Sequence, residues 1–249
     1  VNRRRLAVVT GGGSGIGRAV ALLLAGRGDD VVVLGRRPAS LATTVELAGS
    51  AAGRITAVTA DLTEPADVRA AAAVITSAGG TVDVLVNNAG GNVAPTATED
   101  LQRLRQDWLA NVTANVLPVV LLTQVLLPAI ARPDGRIVTI SSVASLRGPA
   151  TYGGAKAALH PWSAELAARL APDGVTVNIV APGYVAGTGF YAGRMSPDFH
   201  LGRAGQSPMK RGGSVEEIAA AVDYLTGTTA GFITGQVIHI NGGAQPGRG

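Results

Sequence analysis

The 249-residue sequence contains no cysteine. That excludes a disulfide framework, a thiolate nucleophile and a cysteine-ligated metal centre. Histidine is nearly as scarce. His160, His200 and His239 are the only three, and they stand too far apart for metal-ligand spacing. Aromatic residues make up 4% of the chain, too few for a stacking platform, and no RNA- or DNA-binding motif is present. The formal net charge is only +4, spread over scattered arginines apart from "NRRR" at 2–5, so nucleic acid is not an expected partner. Long apolar runs are also missing. The most apolar stretch, Val116 to Ala131, is interrupted by Pro118, Thr123, Gln124 and Pro128. That is too short and broken to cross a bilayer, and it reads as a buried helix. No signal-peptide pattern opens the chain, so a soluble, cytoplasmic protein off the membrane is expected.

What remains is a regular alternation of short apolar runs with longer helical patterns. Strands are expected at Leu6–Thr10, Asp30–Leu34, Ile55–Ala60, Val82–Val86, Arg136–Ser141, Val175–Val180 and Val237–Ile240. Helical patterns fall at Gly15–Arg27, Ala66–Ser77, Leu101–Ala131, Tyr152–Leu170 and Val215–Leu225. Several strands are unbroken Val/Ile/Leu runs, as required when both sheet faces are covered. The expected fold class is therefore α/β: one doubly wound, Rossmann-type domain over residues 1–249. It has a seven-stranded parallel sheet with helices on both faces. The segment Gly183–Gly213, rich in Gly, Pro, Ser and Arg, reads as a structureless substrate lid at the carboxyl end of the sheet.

Three short stretches carry chemistry. The first strand runs into "TGGGSGIGRAV", whose Gly11, Gly15 and Gly17 would let backbone N–H groups approach a phosphate at a helix N-terminus. Further on, "TYGGAK" places Tyr152 and Lys156 one helical turn apart on one face. A phenol beside an ammonium has its ionised form favoured. At the end of the second strand, "VVVLGRR" puts Gly35 where an NAD site usually has an acid, followed by Arg36 and Arg37. Guanidinium groups there suit a 2′-phosphate and favour NADPH/NADP+.

"TGGGSGIG", "NNAG" at 87–90, "YGGAK", "PG" at 182–183 and "ITGQVIHINGG" resemble, in order and register, the motifs of the short-chain dehydrogenase/reductase family, within it the 3-oxoacyl-carrier-protein reductase-like ketoreductases. The resemblance implies that Gly11, Gly13, Ser14, Gly15, Ile16 and Gly17 cradle the pyrophosphate. It implies that Asp61 and Leu62 flank the adenine and that Asn88, Ala89 and Gly90 meet the ribose. Pro182, Gly183, Val185 and Thr188 would lie at the nicotinamide. Tyr152 would donate the proton, Lys156 would lower its pKa and hold the ribose, Ser142 would bind the substrate oxygen, and Asn111 would support a water relay.

Ser145 is a third serine candidate, while Ser141 should point to the opposite face; Asn115 reads as structural. Ten positions separate Ser142 from Tyr152, where many relatives have thirteen residues between, so this wall of the pocket is shortened. Pro161 falls inside the Tyr–Lys helix without a functional reading. His160 and Trp162 read as packing or interface residues. The expected reaction is reduction of a small or cyclic ketone, or of a β-keto acyl thioester, to a secondary alcohol. Oxidation of a secondary alcohol and a non-catalytic cofactor-binding regulator are the alternatives. Only Arg132 precedes strand five, and Asp173 precedes strand six where carrier-using relatives can carry arginine. A free ketone or short thioester is therefore favoured over a carrier-bound chain. A homotetramer, or failing that a homodimer, is expected.

Overall fold

The valine-rich runs form strands because β-branched side chains pack well on a sheet buried on both faces. The computed structural model describes residues 3–77, 80–93, 98–191 and 196–245. In it β1 (Leu6–Thr10) leads into α1 (Gly15–Gly26), β2 (Asp30–Gly35) into α2 (Pro38–Ala48), and β3 (Ile55–Thr59) into α3 (Pro65–Ser77). β4 (Val84–Asn87) is followed by α4 (Leu101–Asn115) and α5 (Leu117–Leu126). Then come β5 (Arg136–Ile140), the short α6 (Ala144–Arg147), the long α7 (Ala150–Leu170), and β6 (Thr176–Pro182). α8 (Pro197–Gly205), α9 (Val215–Thr226) and β7 (Val237–Ile240) complete the order. All pairings are parallel, in the order β3-β2-β1-β4-β5-β6-β7. The direction of winding reverses between β1 and β4, and ligands of such sheets sit beyond the strand ends at that point.

Alternate residues feed two cores. Ala7, Val9, Val86 and Val138 pack on α1 and α9 through Leu24, Ile218 and Val222. Val8, Leu85, Ile137 and Val177 face Ile75, Leu122, Leu126 and Leu166 on α3, α5 and α7. Each fully buried side chain of this size is worth about 1.5–3 kcal/mol, so both helix layers are held by the period-two alternation of the strands.

Three details differ from the sequence-based expectation. The helix expected to run from Leu101 to Ala131 is stepped at Val116, because Pro118 in the first turn of α5 lacks the N–H that would continue it. A 3₁₀ turn then carries it to Ala129. By length and composition Leu101–Ala129 would suffice to cross a membrane; in the fold its Leu122 and Leu126 are core residues and its Thr123 is buried. β4 starts at Val84 and reaches Asn87, while Val82 makes only an isolated bridge to Ile130. The supposed structureless lid contains a 3₁₀ turn, Gly189–Tyr191, and α8, whose N-cap Ser196 accepts from the Phe199 N–H at 3.1 Å. The helix expected over Tyr152–Leu170 is present as α7, which continues through Pro161, the proline being on the exposed side.

Candidate active site

Between β1 and α1 the chain turns through Gly11 at φ +66°. A Cβ there would lie 2.7 Å from the Asn88 amide nitrogen, and one on Gly17 would collide with the Gly11 carbonyl. Close packing of the turn on the β4 end therefore requires both glycines. Gly17 lies under the loop and lines no part of the cleft above it. Ser14 has the extended backbone of an N-cap, yet its side chain caps nothing and the first turn of α1 holds no acid. The N-terminal N–H groups of α1 are left to an external anion, the arrangement of a phosphate site.

The loop is braced from behind. Arg18 donates to the Gly13 carbonyl and, at 3.1 Å, to the Thr44 hydroxyl, which in turn donates to the Gly12 carbonyl at 2.9 Å. The Thr10 hydroxyl oxygen accepts from the N–H groups of Asn88 and Ala89 at 2.8 and 2.9 Å, and the Asn88 amide donates to the Thr10 carbonyl at 2.9 Å. Asn88 thus ties β4 to β1 through its side chain. Neither Thr10 nor Arg18 was among the residues expected from sequence. Thr10 meets Asn88 and Ala89 across 78 and 79 positions and Arg18 meets Thr44 across 26, so no local pattern announces these contacts.

Above the loop opens a cleft of about 1620 Å³, larger than the ~300–1,000 Å³ of ordinary small-ligand pockets. One end is lined by Gly11, Gly13, Ser14, Gly15 and Ile16, then by Gly35, Arg36, Arg37, Asp61 and Leu62. Arg36 and Arg37 are exposed and form no ion pair among the described residues. The Asp61 carboxylate accepts from the Thr63 N–H at 3.0 Å and from its hydroxyl at 2.8 Å. Those bonds, with Arg36 nearby, hold it below the usual carboxylate range. Asn88, Ala89 and Gly90 line the middle, with Pro182, Gly183, Val185 and Thr188 opposite. The residues present fit a dinucleotide: a glycine cradle at a helix N-terminus, two unpaired guanidinium groups and an elongated cleft.

Tyr152 and Lys156 stand on the first two turns of α7, both buried and both lining the cleft. The Tyr152 ring lies 5.4 Å from that of Phe190, tilted by 56°, so an aromatic wall from the Gly189–Tyr191 turn shields the phenol. Lys156 donates from Nζ to the Ile140 carbonyl at 3.0 Å. Burial alone lowers its pKa to about 8, because a buried ammonium loses its hydration. Gly90 keeps space beside that ammonium, since a Cβ there would sit 3.2 Å from Nζ. Ser142, just past β5, accepts from the Ala144 N–H at 3.1 Å, and the Ser145 hydroxyl donates to the Ser142 carbonyl at 2.7 Å. The Ser141 hydroxyl faces α7 instead, lying 2.9 Å from His160 Nε2 and 3.4 Å from the Lys156 carbonyl. Burial and His239 push the His160 imidazole down in pKa.

Asn111 is fully buried and off the cleft. Its amide donates to the Asp107 carbonyl at 3.2 Å and to the Thr151 hydroxyl at 3.1 Å. It is joined to the Tyr152 helix through Thr151, without a direct bond to Lys156. Asn115, one turn on, clamps Gly91 by accepting from its N–H at 3.0 Å and donating to its carbonyl at 2.9 Å.

A family model described as short chain dehydrogenase matches residues 5–196. The chain is 36% identical over 246 residues to the 3-oxoacyl-[acyl-carrier-protein] reductase FabG of Escherichia coli (strain K12), covering 96% of each. Among solved structures it resembles a short chain dehydrogenase from Burkholderia cenocepacia J2315 in complex with NADP, at TM-score 0.86 and 32% identity over 97% of both chains. It also resembles the Pseudomonas aeruginosa RhlG/NADP active-site complex, at TM-score 0.88 and 33% identity over 96% of both. With the glycine turn, the Tyr152–Lys156 pair and Ser142 converging on one cleft, the chain belongs to the short-chain dehydrogenase/reductase family, enzymes that move a hydride on NAD(P).

Proposed function

We propose that the protein is an NADPH-dependent ketoreductase that converts a ketone to a secondary alcohol. The observation that carries this reading is the pairing, in one cleft, of a buried Tyr152–Lys156 turn with Arg36 and Arg37 in place of an acid after β2. When bound, NADPH supplies the hydride that reaches the carbonyl carbon. Gly13, Ser14, Gly15 and Ile16 would hold its pyrophosphate, and Arg36 and Arg37 its 2′-phosphate. Tyr152 gives its phenolic proton to the carbonyl oxygen, so one hydride and one proton complete the alcohol. An unassisted phenol near pKa 10 exchanges protons poorly at neutrality. The Lys156 ammonium one turn away lowers that barrier by favouring the phenolate. Ser142 donates a hydrogen bond to the same oxygen as negative charge develops on it.

A free ketone or a short thioester fits better than an obligate carrier-bound chain. Acidic carrier proteins are drawn to basic surface near the site, yet Arg132 is occupied. It donates to Asp173 at 3.0 Å and to the carbonyls of Leu127 and Ile130. The reading includes a cytoplasmic protein that works as a homotetramer or homodimer. NADPH oxidation measured against β-keto thioesters, diketones and cyclic ketones tests it together with Tyr152→Phe. At least one ketone should be reduced, with turnover at least ~10²-fold lower in the variant and NADPH binding retained. A variant within threefold of the parent removes Tyr152 from the proton-donor role.

A further inference from the structure

The exit of β5 holds the Tyr–Lys helix through two consecutive residues. Ile140 takes the Lys156 ammonium on its carbonyl at 3.0 Å. Ser141 follows, its backbone N–H donating to the Val180 carbonyl at 2.8 Å, which carries the strand pairing one residue past β5. Its side chain is buried against α7. The hydroxyl lies 3.4 Å from the Lys156 carbonyl and 2.9 Å from His160 Nε2. The end of β5 therefore grips Lys156 at two points, the ammonium through Ile140 and the main chain through Ser141.

Both grips oppose a disturbance. Burial lowers the Lys156 pKa to about 8, so hydration would draw the ammonium away from Ile140. The helix is also weak just beyond Lys156. Pro161 has no N–H for the Ala157 carbonyl, its ring crowds that carbonyl, and it disfavours helical backbone at the residue before it, His160. α7 nevertheless runs unbroken from Ala150 to Leu170. The His160 side chain returns through Ser141 to the Lys156 carbonyl, one turn back across this weak point. A hydroxyl has one proton to donate. Donated to the Lys156 carbonyl, it leaves Ser141 Oγ as an acceptor, so the donor to it is His160 Nε2–H. Burial and His239 hold the imidazole below the ordinary histidine value. At neutral pH it therefore has a single N–H, and that N–H is on Nε2.

We propose that His160 is a positioning residue for the reaction: through the Ser141 hydroxyl it holds the Lys156 turn of α7 against the end of β5. The proposal rests on the reading of Tyr152 and Lys156 as the proton-transferring pair, and it gives His160 a task besides filling space. A misplacement of ~1 Å can cost about 10²-fold in rate, so a weak helical turn under the catalytic lysine needs an outside hold.

Lys156 and Lys210 are the only lysines in the sequence, so carbon NMR of protein labelled at lysine reads them separately. Loss of one signal in Lys156→Met identifies the residue. In the ligand-free protein that signal should titrate with a midpoint of about 8. His160→Leu and Ser141→Ala should raise the midpoint by about one pH unit or more, as the released ammonium gains hydration. His160→Gln keeps an N–H donor and should leave the midpoint in place. Turnover of methyl 3-oxobutanoate with NADPH should fall at least about tenfold in His160→Leu and Ser141→Ala, with KM for the ketone little changed, and His160→Gln should restore it. If His160→Leu does not fold, Ser141→Ala makes the comparison. A midpoint unmoved in Ser141→Ala, or parental turnover in that variant, overturns the positioning role, as does an equal shift in His160→Gln. A midpoint that moves as expected, in a protein whose parent oxidises NADPH with no β-keto ester, thioester, diketone or cyclic ketone, supports the hold on Lys156 and overturns the ketoreductase reading.

Discussion

Lys156 is a buried cation with no carboxylate beside it among the described residues, and burial lowers its pKa to about 8. The folded value lies below the ordinary lysine value, so the folded state binds this proton less readily than the unfolded chain does. Below about pH 8 the cost is present in full. It fades as pH rises towards 10.5, the ordinary value, so this group's contribution makes the ligand-free protein more stable across that window. At one pKa unit per 1.36 kcal/mol, the cost is on the order of 3 kcal/mol. We therefore expect Lys156→Met to lose activity yet melt no lower than the parent at pH 7 without cofactor. A drop of several degrees in calorimetry would show that the 3.0 Å bond to Ile140 outweighs the desolvation. The Tyr–Lys spacing was legible because four residues always bring two side chains onto one helix face. Phe190, which walls off the phenol, was not: it reaches Tyr152 from 38 positions away.

Among the elements, the exit of β2 is where the proposed preference for NADPH would be set. Gly35 offers no carboxylate to repel a 2′-phosphate, and α2 begins immediately after Arg37 with Pro38 in its first turn. That short, stiff connection keeps Arg36 and Arg37 at the cleft rim. NADPH should bind at least about tenfold more tightly than NADH, and Arg36→Ala/Arg37→Ala should bring the two within threefold. Fluorescence titration decides it; a parent that binds both equally would make these arginines a solvated loop. α8, like α2 and α6, is an element that sequence reading passed over, although Ser196-Pro197-Asp198 carries an N-cap, a first-turn proline and a first-turn acid. The glycine-rich surroundings obscured a nine-residue helix whose only buried residue is Ala204, too little for an apolar stripe to be recognised.

For the whole molecule, the exposed face of α4 bears on assembly. Leu101 is 79% exposed and Leu109 51%, and Leu104 and Trp108 are only partly covered. Trp108 lies over α7, where a side chain on Gly154 would meet its ring at 2.5 Å. An exposed apolar stripe along α4 costs free energy in water and favours pairing with a second copy. Light scattering at micromolar concentration should give two or four times the 25.0 kDa of one chain. Leu104→Glu/Trp108→Glu should shift it towards one chain, and a parent that is already monomeric counts against assembly through this face.

By itself the sequence determined the alternation of strands and helices, the glycine turn, the Tyr–Lys pair and the missing acid after β2. Each of these is written in neighbouring residues, through side-chain period or motif spacing. Tertiary structure alone decided which residues brace the loop, that Asn111 meets Thr151, and that the partner of Ser141, on the face opposite Ser142, is His160. Such contacts depend on the order in which parallel strands lie side by side and on how the helices cross them. That order is settled by long-range packing, which leaves no periodic trace in the chain.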